Sequence, residues 1–222
     1  MLCGAPRLGG QRFRKTEGLK LGQWSTRTLE IDAKALKHLG ERAMRGPVLL
    51  VGMGGVGMMG LAIARALFHE APLVADIAAD KREAALAAGA AQAFDPSDPQ
   101  VRRAIMAATG GVFAACDFVG SEKSLQFATG VLGRGGKVVV TGLLGGNFSI
   151  AAAMIVIKAI TIEGTLTGTL AEARELIDLA KSGKLATIPT HERPLDQASA
   201  ALDDLRAGRV VGRTVLSPEG LA

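Results

Sequence analysis

The sequence predicts an α/β fold in which a doubly wound parallel sheet of about six strands is covered by helices on both faces. From Val48 onward, short apolar runs alternate with longer stretches of helical periodicity. This alternation is typical of parallel sheets that are buried on both faces. The composition agrees, because 48% of the 222 residues are hydrophobic, 29 are glycine and only 4% are aromatic. A chain of this length can bury a sizeable core.

The strands are predicted where apolar runs stop at glycine, proline or acidic residues. They cover residues 48–52, 73–76, 91–94, 115–119, 137–141, 160–164 and 213–216. The helices are predicted at residues 33–45, 56–68, 80–88, 99–109, 122–132, 150–158, 170–182 and 194–206. Ser97 or Asp98 is expected to cap the helix that starts at Pro99, and residues 133–136 are expected to form a turn.

Residues 1–32 are predicted to form an irregular leader, and residues 33–222 a nucleotide-binding domain. The first 30 residues show no sustained periodicity and are rich in Gly, Arg and Lys. The basic charge also lies near this end, because residues 1–46 carry a net +6 and residues 47–222 a net −1. Acids are mixed into the basic arm and interleaved aromatics are lacking, so nucleic-acid binding is not predicted.

The sequence also favours a cytoplasmic protein without a membrane span. No apolar stretch reaches the ~18 residues that cross a bilayer, and Lys158 interrupts the longest candidate. Residues 1–10 have no apolar signal-peptide region. Cys3 and Cys116 are two cysteines without a framework or metal-ligand spacing, and Cys116 is expected to be a core residue.

A glycine motif follows the first predicted strand. Gly52-x-Gly54-x-x-Gly57 stands between an apolar run and an Ala/Leu-rich helix, and Asp76 ends the next strand 19 residues after Gly57. Gly52 permits the tight turn, Gly54 lets a pyrophosphate approach the backbone, and Gly57 allows helix and strand to pack closely. The free N–H groups and positive dipole end of the helix would then face the phosphates. This order predicts a dinucleotide-binding Rossmann unit.

The acid at the end of the second strand favours NAD over NADP. A carboxylate at Asp76 would accept hydrogen bonds from the adenosine ribose hydroxyls and repel a 2′-phosphate. Lys81 and Arg82 follow closely, so NADP stays a second possibility.

Six segments of the chain, taken together in their order and spacing, match the pattern of one known protein family. They are VGMGGVGMMG (51–60), KREAALAAGA (81–90), DFVGS (117–121), GGKVVVTGL (135–143), ITIEGT (160–165) and ALDDLRAGRVVGRTVL (201–216). Together they resemble the zinc-type alcohol dehydrogenases of the medium-chain dehydrogenase/reductase superfamily. The resemblance covers about residues 34–218 and corresponds to the cofactor domain and C-terminal tail of that family.

The resemblance implies a cofactor site and no catalytic residue or metal ligand in this chain. The implied site consists of Gly52, Gly54, Gly55, Val56, Gly57, Asp76, Lys81, Val119, Gly120, Thr141, Gly142, Leu143 and Arg213. Gly54, Gly55 and Val56 would lie under the pyrophosphate. Arg213 would pair with it through charge-assisted hydrogen bonds. Asp76 and Lys81 would hold the adenosine ribose.

The remaining implied residues belong to the nicotinamide end and to the family's interface. Val119 and Gly120 would line the cleft, and Thr141, Gly142 and Leu143 would lie beside the nicotinamide. The family dimerises by edge-to-edge pairing of its last sheet strand, which matches residues 161–164. A homodimer or homotetramer is therefore expected, because an exposed apolar edge is otherwise prone to aggregation.

The resemblance does not extend to the family's catalytic domain. That domain supplies a cysteine, a Gly-His-Glu histidine and a further acid or cysteine to a zinc ion that acidifies the alcohol. The chain contains no Gly-His-Glu, and the residues before the glycine motif are too few to form that domain. His38, His69 and His191 lack a motif and are expected on the surface. The chain is therefore expected to be the NAD-binding half of an alcohol dehydrogenase, inactive by itself.

Other nucleotide-binding classes fit less well. The chain contains no tyrosine, which short-chain dehydrogenases need, and it lacks the acid that methyltransferases place before the glycine loop. Two alternatives stay open. One is a zinc-free quinone or enoyl reductase of the same superfamily, which takes hydride from NADPH. The other is a non-catalytic NAD-binding module.

Overall fold

The computed structural model describes residues 26–218, with side chains from Asp32 onward. Its helices are α1 (Thr26–Leu39), α2 (Gly55–Leu67), α3 (Ala79–Ala87), α4 (Val101–Thr109), α5 (Glu122–Gly130), α6 (Ala152–Lys158), α7 (Leu170–Lys181) and α8 (Ala198–Arg206). Its strands are β1 (Val48–Val51), β2 (Leu73–Ala75), β3 (Gln92–Phe94), β4 (Val112–Asp117), β5 (Leu132–Val140), β6 (Thr161–Gly164), β7 (Thr190–Pro194) and β8 (Arg213–Ser217). Short 3₁₀ helices span Gly40–Met44 and Leu195–Gln197.

The first six strands form one parallel sheet in the order β3-β2-β1-β4-β5-β6. The predicted doubly wound α/β fold with about six strands is confirmed. The chain runs outward from β1 to β3 and then returns to β4 on the other side of β1. This reversal places a switch point between β1 and β4, where ligands bind at the carboxyl ends of the strands.

The sheet is buried on both faces, as the apolar strands predict. Val48 and Leu50 of β1 point to one face, and Leu49 and Val51 to the other, and all four are at most 2% exposed. The first face packs against α1, α2 and part of α7, and the second against α4 and α5. Burial of this size is the main source of the fold's stability.

The N-terminal helix begins earlier than predicted. The structure has α1 from Thr26 to Leu39 followed by a 3₁₀ turn, whereas the sequence predicts a helix over residues 33–45. Ala33, Leu36 and Leu39 form its buried stripe and pack between α2 and α7. The helix starts at Thr26, within the segment whose sequence shows no sustained periodicity, so periodicity alone does not reveal its first turns. The leader prediction for residues 1–25, and Cys3 with it, lies outside the described residues.

Three further local predictions are corrected. Residues 133–136 are part of β5 rather than a separate turn, and the register shifts between Val112 and Ala114 on the neighbouring strand. The helix expected at Pro99 begins at Val101 without a side-chain cap. Strand β7 was not predicted, and it pairs in parallel with β8 in a two-stranded ribbon apart from the main sheet. No helix of residues 26–218 is long and apolar enough to cross a membrane.

Candidate functional site

Three glycines shape the loop between β1 and α2. Gly52 has φ +91°, a left-handed conformation that favours glycine, and its N–H donates to Ala75 O at 2.8 Å. A Cβ on Gly52 would collide with the side chain of Val119, so the ends of β1 and β4 abut. Gly54 caps α2, and nothing lies within 4 Å of the position that its Cβ would take. Gly57 packs so closely that its Cβ would overlap the carbonyl oxygen of Gly52.

Asp76 joins the glycine loop to the loop after β2. It is 8% exposed. One carboxylate oxygen accepts from Met53 N at 2.6 Å and the other from Ala78 N at 2.8 Å. Each oxygen keeps a further lone pair. The side chain therefore fixes the loop and retains acceptor capacity toward the space above the strand ends.

The two basic residues that follow Asp76 have different surroundings. The Arg82 guanidinium donates to Asp76 O at 2.8 Å and to Ile77 O at 2.9 Å, and it pairs with Asp95 at 3.2 Å. Hydrogen bonds from Ser97 hold the pKa of Asp95 below its usual value, and the Arg82 guanidinium lowers it by a smaller amount. Lys81 lies in the first turn of α3 and is partly exposed. The Arg82 guanidinium therefore stabilises the loop after β2.

Asp117 organises the loop after β4. Its Oδ1 accepts from Val119 N at 2.9 Å and from Gly120 N at 3.1 Å, and Ser124 Oγ donates to its Oδ2 at 2.8 Å. Burial raises the pKa of Asp117, while these three hydrogen bonds oppose the rise. These contacts give Asp117 a structural role in the loop after β4. The contribution of Ser124, which also forms a capping box at the start of α5, was not foreseen.

The loops after β4 and β5 are tied together at the same edge. Asp117 O accepts from Thr141 N at 2.9 Å and from Gly142 N at 3.1 Å. Gly120 has φ +67°, and a Cβ on either Gly120 or Gly142 would overlap the backbone of the other. Leu143 follows with 80% exposure. The predicted residues of the nicotinamide end therefore form one continuous lip.

Arg213 reaches this edge from the β7–β8 ribbon. Its backbone N–H donates to Pro189 O at 2.9 Å. A Cβ on Gly55 would lie 2.8 Å from Arg213 Nε and 2.7 Å from Gly212 O, so the guanidinium lies against the first residue of α2. A cavity of about 300 Å³ separates the start of α2 from α8 and β8, with Val56 and Arg213 in its wall.

Asp32 is a buried acid that the sequence analysis missed. It is 0% exposed, and neither carboxylate oxygen has a hydrogen-bond partner among the described residues. Burial raises the pKa of Asp32 well above its usual value, and the charge of Arg213 opposes this rise. The signal in the sequence is an acid directly before the apolar stripe of α1. Cys116 is also fully buried, which confirms it as a core residue.

The described residues do not fit a zinc ion. Within residues 26–218, no group of three or more His, Cys, Asp or Glu side chains could hold a metal. His38 Nδ1 forms a hydrogen bond with Glu163 Oε1, and His191 Nε2 contacts Val211 O at 3.0 Å. His69 is exposed, as expected.

Comparison with known proteins agrees with this geometry. The sequence model of the zinc-binding dehydrogenases matches residues 55–182. A curated NAD-dependent alcohol dehydrogenase of Saccharolobus solfataricus is 32% identical over 174 residues, which cover 77% of this chain and 50% of that protein. An alcohol dehydrogenase of Geobacillus stearothermophilus is 30% identical over 183 residues, covering 82% of this chain and 53% of that protein.

Among solved structures, the alcohol dehydrogenase of the archaeon Aeropyrum pernix superposes with a TM-score of 0.75 at 28% identity, covering 85% of this chain and 56% of that chain. The chain thus spans about half the length of the relatives that it matches. The family match covers more than half of the chain, and the order and spacing of the glycine loop fit it. The chain therefore belongs to the zinc-binding dehydrogenase family, within the medium-chain dehydrogenase/reductase superfamily.

Proposed function

We propose that this chain binds NAD(H) and serves as the cofactor-binding part of an alcohol dehydrogenase-like oxidoreductase. The observation that carries the proposal is the open face of Gly54 at the start of α2, flanked by Asp76 and Arg213. Curated relatives named NAD-dependent alcohol dehydrogenases support the choice of cofactor and reaction class. When bound, the nicotinamide would take up or deliver the hydride that interconverts an alcohol and a carbonyl compound.

The pyrophosphate would lie over the start of α2. Gly54 leaves room for it, and the first N–H groups of α2 supply donors and the positive end of the helix dipole. Gly55 and Val56 begin that helix. The guanidinium of Arg213 lies against Gly55, where it would add charge-assisted hydrogen bonds to the phosphate oxygens.

The adenosine ribose would lie against Asp76. The free lone pairs of this carboxylate can accept from the ribose hydroxyls, and its charge disfavours a 2′-phosphate. Arg82 donates to backbone carbonyls and pairs with Asp95, which reduces its capacity to bind such a phosphate. Lys81 would contribute to the ribose site from the first turn of α3.

The nicotinamide end would lie along the lip formed by the β4 and β5 loops. Val119 and Gly120 form one side, and Thr141, Gly142 and Leu143 form the other. The exposed leucine makes this lip apolar, which suits an aromatic ring. The alcohol substrate would meet the cofactor here, and no residue of this chain is assigned to proton transfer.

A zinc-free reductase that takes hydride from NADPH is the second candidate. The partly exposed Lys81, close in sequence to Asp76, favours it, because an ammonium group near the ribose would attract a 2′-phosphate. A calorimetric titration with NADH and NADPH separates the two candidates. We expect NADH to bind more tightly by about tenfold, a difference of about 1.4 kcal/mol. Tighter NADPH binding would favour the reductase.

Two aspartate variants sharpen this titration. Asp76→Asn is expected to weaken NADH binding by about 1–3 kcal/mol, the scale of hydrogen bonds to a charged group. Asp178→Asn is the matched control, since it makes the same charge change at an exposed position of α7, away from the proposed site, and should leave the affinity unchanged. Assays with alcohols and added zinc should show no turnover by this chain alone. Absent NADH binding in the wild type would refute the proposed function.

We also propose that two copies pair through the free edge of β6. In residues 26–218, β6 has only β5 as a neighbour, Ile162 is 39% exposed, and no residue of the adjacent α6 is buried. Pairing of two such edges buries apolar surface and satisfies strand hydrogen bonds. Light scattering after size exclusion should give about twice the chain mass of 22.9 kDa. Ile162→Lys should give monomers, whereas Ile177→Lys, at a residue 40% exposed on α7, should not. A monomeric wild type would contradict the pairing.

A further inference from the structure

A further cavity lies at the edge of the sheet opposite to the glycine loop. It has a volume of about 570 Å³ and is enclosed by the end of α1, the following 3₁₀ helix, β5 and the end of α6. The 3₁₀ helix Gly40–Met44 precedes β1, and Gly135 lies in the first half of β5. Because the strands of this sheet are parallel, the cavity lies at their amino ends, away from the lip and from the proposed cofactor site. Its volume is that of a small-molecule site.

Basic side chains dominate the wall of this cavity. Arg42, Arg45 and Lys137 line it together with His38, and Glu41 is the one acid among the lining residues. The rest of the lining is small or apolar and consists of Leu39, Gly40, Gly135 and Ala159. The cavity therefore presents three positive charges against one negative charge.

Lys137 and His38 share a carboxylate partner behind the wall. Lys137 Nζ pairs with Glu163 Oε2 at 2.5 Å, and His38 Nδ1 forms a hydrogen bond with Glu163 Oε1. The hydrogen bond from Lys137 lowers the pKa of Glu163, and that from His38 lowers it further. Glu163 is therefore ionised and compensates the charge of Lys137, so the two arginines carry the uncompensated positive charge of the cavity.

The two arginines are held differently. Arg42 Nε donates to Gly135 O at 2.8 Å, and one Nη donates to Thr161 Oγ1 at 3.4 Å. A guanidinium has five N–H groups, so these contacts fix the Arg42 side chain and leave the other three for a ligand. Arg45 is exposed, and its side chain has no partner among the described residues. One arginine is thus oriented in advance, and the other is unpaired.

The backbone at the cavity adopts left-handed conformations at the ends of two helices. Gly40 has φ +59°, and it turns the chain from α1 into the 3₁₀ helix that carries Arg42. Ala159 follows α6 with φ +49° and is the one non-glycine residue with a positive φ in the part of the chain that the structure describes. Non-glycine residues in this conformation cluster at functional sites. Ala159 is thus a second reason, besides charge, to consider the cavity a binding site.

We propose that this cavity binds a phosphate group, either as inorganic phosphate or as part of a small phosphate monoester. Arg42 and Arg45 hold the phosphate oxygens through charge-assisted hydrogen bonds, for which the planar guanidinium is well suited. A phosphate group carries about two negative charges near neutral pH, which match the two uncompensated arginines, whereas a carboxylate would match only one. The cavity is larger than a phosphate ion and leaves room for a small organic group beside Ala159. This site is independent of the proposed NAD(H) site.

Phosphate titrations followed by heteronuclear NMR test this site. Inorganic phosphate and glycerol phosphate are titrated separately into the isotope-labelled full chain, with sodium chloride keeping the ionic strength constant so that unspecific attraction is screened. The backbone amide signals of Gly40 and Gly135 should shift saturably with both probes. We expect a dissociation constant of about 1 mM for inorganic phosphate, as for a very small ligand. Tighter binding of glycerol phosphate would assign the site to monoesters, and tighter binding of inorganic phosphate to the free ion.

Three arginine variants make the test specific. Arg45→Gln removes a side chain without a partner among the described residues, so it should fold normally and bind phosphate about tenfold more weakly. Arg42→Lys keeps the charge but loses the guanidinium fork, and it should weaken binding by a similar factor. Arg103→Gln is the matched control, because it removes an exposed arginine of α4 on the other face of the sheet and should keep the wild-type affinity.

A repeat of the wild-type titration with saturating NADH separates this site from the proposed pyrophosphate position. Shifts at Gly40 and Gly135 that persist with NADH present support the inference. Phosphate-induced shifts confined to the glycine loop would overturn it, and so would equal phosphate affinities of the wild type and both cavity variants. Failure of the wild type to bind NADH would refute the proposed function instead, and the comparison of the arginine variants would still decide the phosphate site.

Discussion

Gly57 and Gly54 allow the packing role and the ligand role of the glycine loop to be separated. An alanine Cβ at Gly57 would overlap Gly52 O and lie 2.9 Å from both Gly52 C and Met53 Cε. An alanine Cβ at Gly54 would meet no atom within 4 Å. The first substitution therefore acts on the contact between α2 and β1. The second acts only on the space above the loop.

The two effects at Gly57 differ in size. Alanine gains about 1 kcal/mol over glycine inside a helix. Inserting a methyl group into a packed interior costs about 1–3 kcal/mol, and the upper end applies because the nearest obstructing atom is the backbone carbonyl oxygen of Gly52, which cannot rotate away. The cost of the steric overlap exceeds the gain in helix propensity, so Gly57→Ala should lower the free energy of unfolding by about 2 kcal/mol. For a protein of this size that lowers the Tm by about 4–8 °C.

At Gly54 the opposing terms nearly cancel. Its φ of −72° and ψ of −167° are accessible to alanine. Replacing glycine by alanine also lowers the conformational entropy of the unfolded chain, which stabilises the folded protein by about 0.4–1 kcal/mol. The weaker helix cap costs a similar amount. Gly54→Ala should therefore melt within about 3 °C of the wild type, while its NADH affinity should fall by about tenfold or more because the new methyl group would occupy the space proposed for the pyrophosphate.

Thermal denaturation followed by circular dichroism and NADH titration of both variants provide the assay. A wild-type Tm for Gly57→Ala would refute the packing argument. Wild-type NADH affinity for Gly54→Ala would refute the assignment of the open face to the pyrophosphate. Equal loss of stability in both variants would mean that the loop does not have the contacts described.

Two more substitutions test the buried acids. Ser124→Ala removes the 2.8 Å hydrogen bond to Asp117 and should cost about 2 kcal/mol, visible as a Tm lower by about 4–8 °C; an unchanged Tm would contradict this. Burial raises the pKa of Asp32 in the folded protein above the ~3.9 of an unfolded chain. The folded protein therefore loses stability as the pH rises from the unfolded-state pKa to the folded-state pKa. Asp32→Asn cannot titrate and does not lose this stability. In urea titrations, the free energy of unfolding of Asp32→Asn minus that of the wild type should therefore increase from about pH 4 toward neutral pH. A difference independent of pH would argue against a titrating Asp32.

The sheet could be predicted from the sequence because each central strand is a short apolar run. The residues from Val48 to Val51 are buried on both faces of the sheet, so all four are apolar and form an uninterrupted apolar run in the sequence. Strand β7 gives no such signal, since His191 and Glu192 are exposed and the strand exists only through its pairing with β8. The early start of α1 also leaves no signal, because the first 30 residues show no sustained periodicity in the sequence.

The site was predictable to the extent that single residues carry their role locally. The glycine spacing dictates a tight turn and a close helix, and both are present at Gly52 and Gly57. Contacts between distant segments leave no such trace. The hydrogen bonds of Arg82 to loop carbonyls and the burial of Asp32 depend on how α3 and α1 pack, which no local pattern encodes.

The lip formed by the β4 and β5 loops has a consequence for what can rest on it. Six of its backbone N–H groups donate internally, namely those of Val119, Gly120, Thr141, Gly142, Leu144 and Gly145. These six N–H groups already donate hydrogen bonds that hold the two loops together. A molecule that lies against these six positions finds no unpaired N–H donor among them, so any hydrogen bond that it forms with the backbone at these positions needs an N–H or O–H group of its own.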